Sequence, residues 1–176
     1  MRGVGRRAAS LPLAQKVGTA LVRVGIGYDS HRFAEGRKLI LGGVEIPYAK
    51  GLAGHSDADV VAHAITDAVL GAAGMGDIGA LFPDSDPQWQ NADSIYLLNR
   101  AYLQVVEMRL HLINVDVTVI AEQPPIALFV DEMREKLAGA LVCDPSDVSV
   151  KGKTNEKMGF IGRGEGIAAI AVAVLE

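Results

Sequence analysis

The sequence predicts one α+β domain, built as a mixed four-stranded β-sheet with helices on one face and a small hairpin beside it. Three observations lead there. Strand-like and helix-like patterns follow one another in the order β-ββ-α-α-β-α-β-β, with no internal repeat or interdomain linker. Residues 113–121 alternate Val115, Val117 and Val119 against Asn114, Asp116 and Thr118, the period of a strand with one buried face. Residues 167–175, Ile-Ala-Ala-Ile-Ala-Val-Ala-Val-Leu, are apolar on both faces, so both must be covered. With so few helices available, a second copy of the chain is the natural cover, and homo-oligomerisation is expected.

Composition sets the outer limits. A chain of 176 residues with 49% hydrophobic and 22% charged side chains is the right size for a single domain and can offset the entropy of ordering itself. Its net charge of -4 excludes a dedicated nucleic-acid binder while leaving a local anion site open. Cys143 is the only cysteine, which rules out an intrachain disulfide and a thiolate-rich zinc site and fits a reducing compartment. Polar residues break each apolar stretch well short of the roughly 18 residues a membrane helix needs, so no membrane association is expected.

Residues 1–20 form a basic extension, with Arg2, Arg6, Arg7 and Lys16 and no acid before residue 20. A transit peptide has this composition, and a frayed extension or an upstream start codon explains it equally. The first reading implies a plastid and the second a bacterial cytoplasm, which is the preferred expectation. Residues 21–176 form the domain. Gly3-Val-Gly-Arg-Arg-Ala8 matches the dinucleotide fingerprint and Gly25-Ile-Gly-Tyr-Asp-Ser30 nearly does, but neither has the strand-turn-helix context required.

Residues 21–27 read as a short apolar strand entering a polar turn at 29–32, and residues 38–47 as a hairpin around Gly42-Gly43. Ser56 and Asp59 match a capping box, so a helix is expected from about residue 57 to 73. Asp59, His63, Thr66 and Asp67 fall three and four apart on that helix and share one stripe. A solvated face is one reading. The absence of Lys, Arg or Glu there favours a stripe lining a cleft. Residues 74–93 read as a long loop, followed by a helix over 94–109. Pro124-Pro125 opens a further helix to about residue 141, with Pro125 near its first position, and residues 148–153 form a strand before the Gly-rich stretch 160–166.

Chemistry concentrates at few places. In an extended backbone Asp29 and His31 point the same way, and carboxylate and imidazole both suit Zn²⁺. Such a pair is also ordinary in turns. His63, on the polar stripe of an apolar helix, is the best third ligand, with a satisfied core histidine as the alternative. His55, just before the helix N-terminus, is placed to meet phosphate. Thr154-Asn-Glu-Lys157 at a strand end could share Mg²⁺ with substrate phosphates or be solvated turn residues. Arg163, among glycines, could grip phosphate or sit in a plain turn. His111 has no acidic or basic companion and is given no role.

Seven stretches taken together resemble one family: Gly25-Ile-Gly-Tyr-Asp-Ser-His-Arg-Phe33, Leu41-Gly-Gly-Val-Glu-Ile-Pro47, Gly54-His-Ser-Asp-Ala-Asp-Val60, Gly76-Asp-Ile-Gly79, Leu81-Phe-Pro-Asp-Ser-Asp86, Asn114-Val-Asp-Val-Thr118 and Gly162-Arg-Gly-Glu-Gly166. In this order they are similar to the cyclodiphosphate synthases of the non-mevalonate isoprenoid pathway, over residues 22–176. The resemblance implies a lyase that cyclises 4-diphosphocytidyl-2-C-methyl-D-erythritol 2-phosphate with release of CMP. It implies Zn²⁺ on Asp29, His31 and His63, and Mg²⁺ or Mn²⁺ on Glu156 with the substrate diphosphate. It makes His55 and Thr154 the groups that stabilise the transition state.

The same resemblance places further substrate contacts. Ser30 and Ser56 lie beside the zinc and phosphate groups. Asp77, Ile78 and Gly79, with Phe82, Pro83, Asp84, Ser85 and Asp86, lie near the methylerythritol part. Ala121, Glu122, Gln123, Pro124, Pro125, Ile126 and Ala127 cradle the cytidine from a neighbouring subunit, and Lys153, Asn155, Phe160 and Arg163 complete the set. A homotrimer follows, with sheets packed around the three-fold axis and active sites between subunits. The chain departs from the family pattern at Pro125, where many relatives have lysine, and at Asn155, where they have a second threonine. It is also too short for the cytidylyltransferase that some relatives carry in fusion, so one activity is expected. A metal-binding or nucleotide-sensing module would keep the trio without turnover, and a trimeric scaffold would need none of it.

Overall fold

The computed structural model describes residues 21–176, so the basic extension expected over residues 1–20 lies outside the described residues. Strands are β1 (Arg23–Ala34), β2 (Leu39–Leu41), β3 (Val44–Ile46), β4 (Gly51–Leu52), β5 (Leu112–Ile120), β6 (Val148–Lys153) and β7 (Gly166–Leu175). Helices are α1 (Val60–Ala73), α2 (Ile78–Leu81), α3 (Ser94–Glu107), α4 (Val130–Leu141) and α5 (Gly159–Gly162). The main sheet has the order β4-β1-β7-β5-β6, antiparallel except for the parallel β5–β6 pair, and β2–β3 is a separate hairpin. The mixed sheet and hairpin are as expected. The fifth strand is new, because two residues at an edge are too few to leave a periodic signal.

The first strand does not stop at Gly27. It runs through the polar stretch, where a turn was expected, because β7 pairs with it from Arg23 to Arg32 and satisfies the backbone throughout. Its alternation then sorts residues by face: Gly25 and Gly27 are buried, with Asp29 and His31 in the same series, while Val24, Ile26, Tyr28 and Ser30 point away.

Helix α1 packs on that series, and the fit is tight. A Cβ at Gly25 would lie 2.0 Å from the Ala68 carbonyl oxygen, and one at Gly27 would lie 2.0 Å from that of Ala64. These glycines therefore admit a helix rather than a dinucleotide. Helix α3 packs against α1, and α4 against α3 and β6. The opposite sheet face carries Val24, Ile26 and Tyr28, each more than half exposed, across from Val174, Val172 and Ile170 on β7. Among the described residues the last strand is thus fully covered on its helix side, while on the other face Ile170, Val172 and Val174 keep solvent exposure. None of the described helices is long and apolar enough to cross a membrane.

Helix α1 begins later than the capping-box reading placed it. Ala58 has φ 62°, a left-handed conformation that a helix cannot contain, and the cap is Asp59 rather than Ser56. The Asp59 carboxylate accepts from Val61 and Ala62 N–H at 3.0 and 3.1 Å, and from Gly42 and Gly43 N–H at 2.9 and 2.6 Å. It therefore staples the hairpin turn to the helix start. Burial and the charge of Asp57 push its carboxyl up to about 6, with the backbone N–H donors pulling the other way.

The loop expected over 74–93 contains α2 and a 3₁₀ turn, Pro87–Trp89, begun by the caps Asp77 and Asp86. Pro125 is not in the first turn of α4. It precedes the 3₁₀ turn Ile126–Leu128, and α4 starts only at Val130.

Two glycine-to-alanine changes separate packing from propensity. Gly27→Ala should destabilise the protein by about 3 kcal/mol or more, because helix backbone has to move. Gly71→Ala, inside α1 with only the Ile26 carbonyl at 3.9 Å, should be neutral or stabilising by about 0.5–1 kcal/mol. Urea unfolding of the two variants checks both signs.

Candidate metal centre

With α1 held close, His63, one turn into the helix, meets the continuation of the buried β1 series. Asp29 Oδ2 lies 2.9 Å from His31 Nε2 and 2.9 Å from His63 Nδ1, and the two ring nitrogens are 3.2 Å apart. Asp29, His31 and His63 could therefore hold a metal ion. The fit is geometric: a tetrahedral ion with bonds of roughly 2.0–2.1 Å needs donors a little over 3 Å apart. Burial works against the Asp29 charge, but hydrogen bonds and charge from His31 and His63 outweigh it and hold this carboxyl well below the usual range. Burial likewise opposes a charged His63, and Asp29 wins, raising its pKa.

The second nitrogen of His63 sets the orientation of its ring. Nε2 lies 2.9 Å from Ser94 Oγ and 3.1 Å from Ser56 Oγ, and Ser94 Oγ in turn donates to Asp57. The chain of bonds orients the ring with Nε2 toward the serine hydroxyls and Nδ1 toward Asp29. Ser94 and Asp57 were not singled out in the sequence. Asp57 had one visible sign, its place in the His-Ser-Asp-Ala-Asp stretch, whereas Ser94 reads as an ordinary residue at the start of a helix.

The polar stripe of α1 splits. His63 and Asp67 line a cleft of about 240 Å³, but Asp59 is consumed as a cap, and Thr66 is buried with its hydroxyl donating to the Ala62 carbonyl. The same cleft is lined by Asp29, His31, His55, Ser56, Ile78, Gly79, Phe82 and Asp84, together with Trp89 and Leu97, which the sequence did not flag. Phe82 and Trp89 pack edge to face as its apolar wall. Asp67 accepts from Ile78 N–H at 2.8 Å and so fixes the start of α2. His55 is in the cleft, but not for the reason expected, since Asp59 already occupies the free N–H groups of α1. Its Nε2 is buried and has no hydrogen-bond partner among the described residues.

Other expected residues lie elsewhere. Ser30 is on the opposite sheet face, and Asp77, Pro83, Ser85 and Asp86 flank the cleft segment without lining it. Residues 121–127 form a second cleft of about 290 Å³ with Gly152, Lys153 and Thr154. Asn155, Glu156, Phe160 and Arg163 line neither cleft. Register separates the two groups: Ser30 pairs with Ala168, Ala168 with Ile120, and Ile120 with Lys153, three strand spacings or roughly 14 Å across the sheet. Around that second edge, Thr154 Oγ1 donates to Glu156 at 2.5 Å, and Asn155 Nδ2 donates to the Met158 carbonyl at 2.8 Å. Glu122 accepts from Asn155 and Lys157 N–H, and Arg163 pairs with Glu165 at 2.6 Å.

Comparison with known proteins gives a consistent picture. The sequence model of the YgbB family matches residues 22–176. Proteins named 2-C-methyl-D-erythritol 2,4-cyclodiphosphate synthase are similar: one from Neisseria gonorrhoeae is 55% identical over 88% of this chain and 96% of its own. One from Caldicellulosiruptor bescii is 52% identical over 88% and 99%. Among solved structures, the Plasmodium falciparum IspF–CDP complex superposes with TM-score 0.76 at 38% identity, covering 88% of this chain and 95% of that one. The bifunctional IspDF of Campylobacter jejuni gives 0.85 at 46% identity over 88% of this chain, which spans only 42% of that protein.

Ser94→Ala should weaken divalent-metal binding at the trio about tenfold, the low end for an orienting partner because Ser56 still reaches the same nitrogen. Titration against a competing chelator reads this directly.

Proposed function

The chain belongs to the YgbB family, and from that membership we propose that it cyclises 4-diphosphocytidyl-2-C-methyl-D-erythritol 2-phosphate to 2-C-methyl-D-erythritol 2,4-cyclodiphosphate, releasing CMP. The observation that carries the reading is the convergence of Asp29, His31 and His63 at a cleft in a chain 55% identical to a protein named for that synthesis. In the reaction an oxygen of the 2-phosphate attacks the β-phosphorus, a new P–O bond forms, and the bond to the CMP oxygen breaks. The attacking phosphate is already ionised, so no covalent nucleophile on the protein is required. What opposes the reaction is repulsion between two anions, and the protein's task is to position them and offset their charge.

Asp29, His31 and His63 would hold Zn²⁺, and Glu156 would hold Mg²⁺ or Mn²⁺ together with the substrate diphosphate. Bound there, the two ions neutralise charge and polarise the phosphoryl oxygens. His55 supplies a hydrogen bond to phosphate, which gives its unpartnered buried nitrogen a use. Ser56 borders the metal ligands in the same cleft, while Ser30, on the other sheet face, adjoins them only along the strand. Thr154, hydrogen-bonded to Glu156, steadies the carboxylate and offers its hydroxyl to the developing charge.

The methylerythritol part lies against Phe82, Asp84 and the segment Asp77, Ile78 and Gly79, with Pro83, Ser85 and Asp86 shaping the rim. Cytidine occupies the cleft of residues 121–127, bordered by Lys153, and Phe160 and Arg163 stand beyond Asn155. At Pro125 no lysine reaches the ligand, and Asn155 spends its amide on the turn that carries Glu156. The roughly 14 Å between the two groups within one chain supports active sites shared between subunits. The exposed apolar face of β1 and β7 supports a homotrimer that buries it around a three-fold axis. A single catalytic domain over residues 21–176, working in a bacterial cytoplasm, completes the proposal.

Phosphorus NMR of the protein with the cytidylated substrate and Mg²⁺ should show CMP and the cyclic diphosphate appearing together; absence of both sinks the proposal. His63→Ala should abolish zinc binding in metal analysis, and full retained occupancy would refute the ligand assignment.

A further inference from the structure

We propose that Arg37 is a positioning residue that aims His55 at phosphate. The proposal rests on the phosphate role given to His55 above. Arg37 stands between β1 and β2, partly buried, and its guanidinium reaches across to the loop before α1. Nη1 donates to the Gly54 carbonyl at 3.0 Å and Nη2 to the Ser56 carbonyl at 2.5 Å. The carbonyl between them, that of His55, accepts from Asn91 N–H at 2.8 Å. Three consecutive carbonyls are therefore held, two of them by one side chain.

This matters because of what the loop carries. His55 Nε2 has no hydrogen-bond partner among the described residues, so none of them aims the ring through that atom, and the held backbone sets its direction. Ser56 sends its hydroxyl to His63 Nε2 at 3.1 Å. Gly54 lies against His31, where an added Cβ would come within 3.2 Å of Cε1. Ala58, with φ 62°, reverses the chain immediately afterwards. A loop that ends in such a conformation and leaves its histidine nitrogen without a partner needs an external brace.

Arginine suits the task. Its planar fork presents two donors at fixed separation to two acceptors two residues apart, and a charged donor makes the stronger hydrogen bond. Lysine, a single point donor on a flexible stem, can hold one carbonyl at a time. Arg37 lines neither of the two clefts and is not one of the metal-ligand candidates, so its effect should pass through the loop.

A double-mutant cycle tests this with CDP and Mg²⁺ as the probe, read by calorimetry, alongside turnover, zinc content and urea midpoint. Arg37→Ala should weaken CDP binding by about tenfold and lower kcat more than it raises KM, with zinc content unchanged. In a His55→Ala background the same substitution should change CDP affinity by less than twofold. An equal tenfold loss in that background, or no loss in the single variant, overturns the proposal. Arg37→Lys is carried through the same cycle, so a folding defect in the alanine variant leaves the comparison intact. Because binding is read apart from turnover, a wild-type protein that binds CDP but releases no CMP counts against the proposed reaction alone, and an additive cycle in an active enzyme counts against Arg37 alone.

Discussion

Helix α1 lies so close to β1 that a methyl group at Gly25 or Gly27 would reach the carbonyl oxygens of Ala68 and Ala64, and the candidate metal centre takes its geometry from that proximity. Period-two alternation carries the glycine series directly into Asp29 and His31. The helix that the glycines admit brings His63 against them one turn after its start. Had the helix stood off by the width of ordinary side chains, the three donor atoms could not lie about 3 Å apart. Packing of the smallest residues thus sets the coordination geometry, and the site needs no loop to assemble it.

Around this contact, acidic side chains serve as structural braces more often than as reactive groups. Asp59 caps α1 and clamps the hairpin turn. Asp57 receives the Ser94 hydroxyl and, through it, orients His63. Asp67 fixes the start of α2 beneath the cleft, and Glu122 ties the residues 155–157 to the second one. Each bond pairs a carboxylate with backbone N–H or hydroxyl donors, an arrangement that tolerates burial because the charge is offset at several points. The consequence is a cleft whose first contacts are held rigid while one buried atom on its lining, His55 Nε2, is left without a partner among the described residues.

Much of this was legible from the residues. The sheet, the hairpin and the long helices follow from periodicity, and the Asp29, His31 and His63 trio follows from alternation plus a polar residue on an apolar helix. What misled was local polarity. Residues 29–32 look like a turn because polar side chains cluster there, yet strand β7 supplies the hydrogen bonds that keep the segment extended. Ser56 and Asp59 satisfy the spacing of a capping box, but the left-handed Ala58 between them moves the cap to Asp59, something no spacing rule encodes. The stripe on α1 was misread for the same reason: Thr66 and Asp59 find partners inside the fold, and only the three-dimensional packing says which polar residues remain free for a ligand.

The separation of the two clefts completes the physical picture. Cyclisation demands that two phosphates of one substrate be drawn together, while the cytidine leaving group stays held at a distance. The metal-ligand candidates at β1 and the second cleft at the ends of β5 and β6 lie three strand spacings, roughly 14 Å, apart within a single chain, because the hydrogen-bonded strands between them are rigid. The same sheet exposes, on its uncovered face, Val24, Ile26 and Tyr28 beside the apolar residues of β7. The proposed homotrimer would bury that face, so the exposed apolar surface and the distance between the two clefts are both answered by one and the same association.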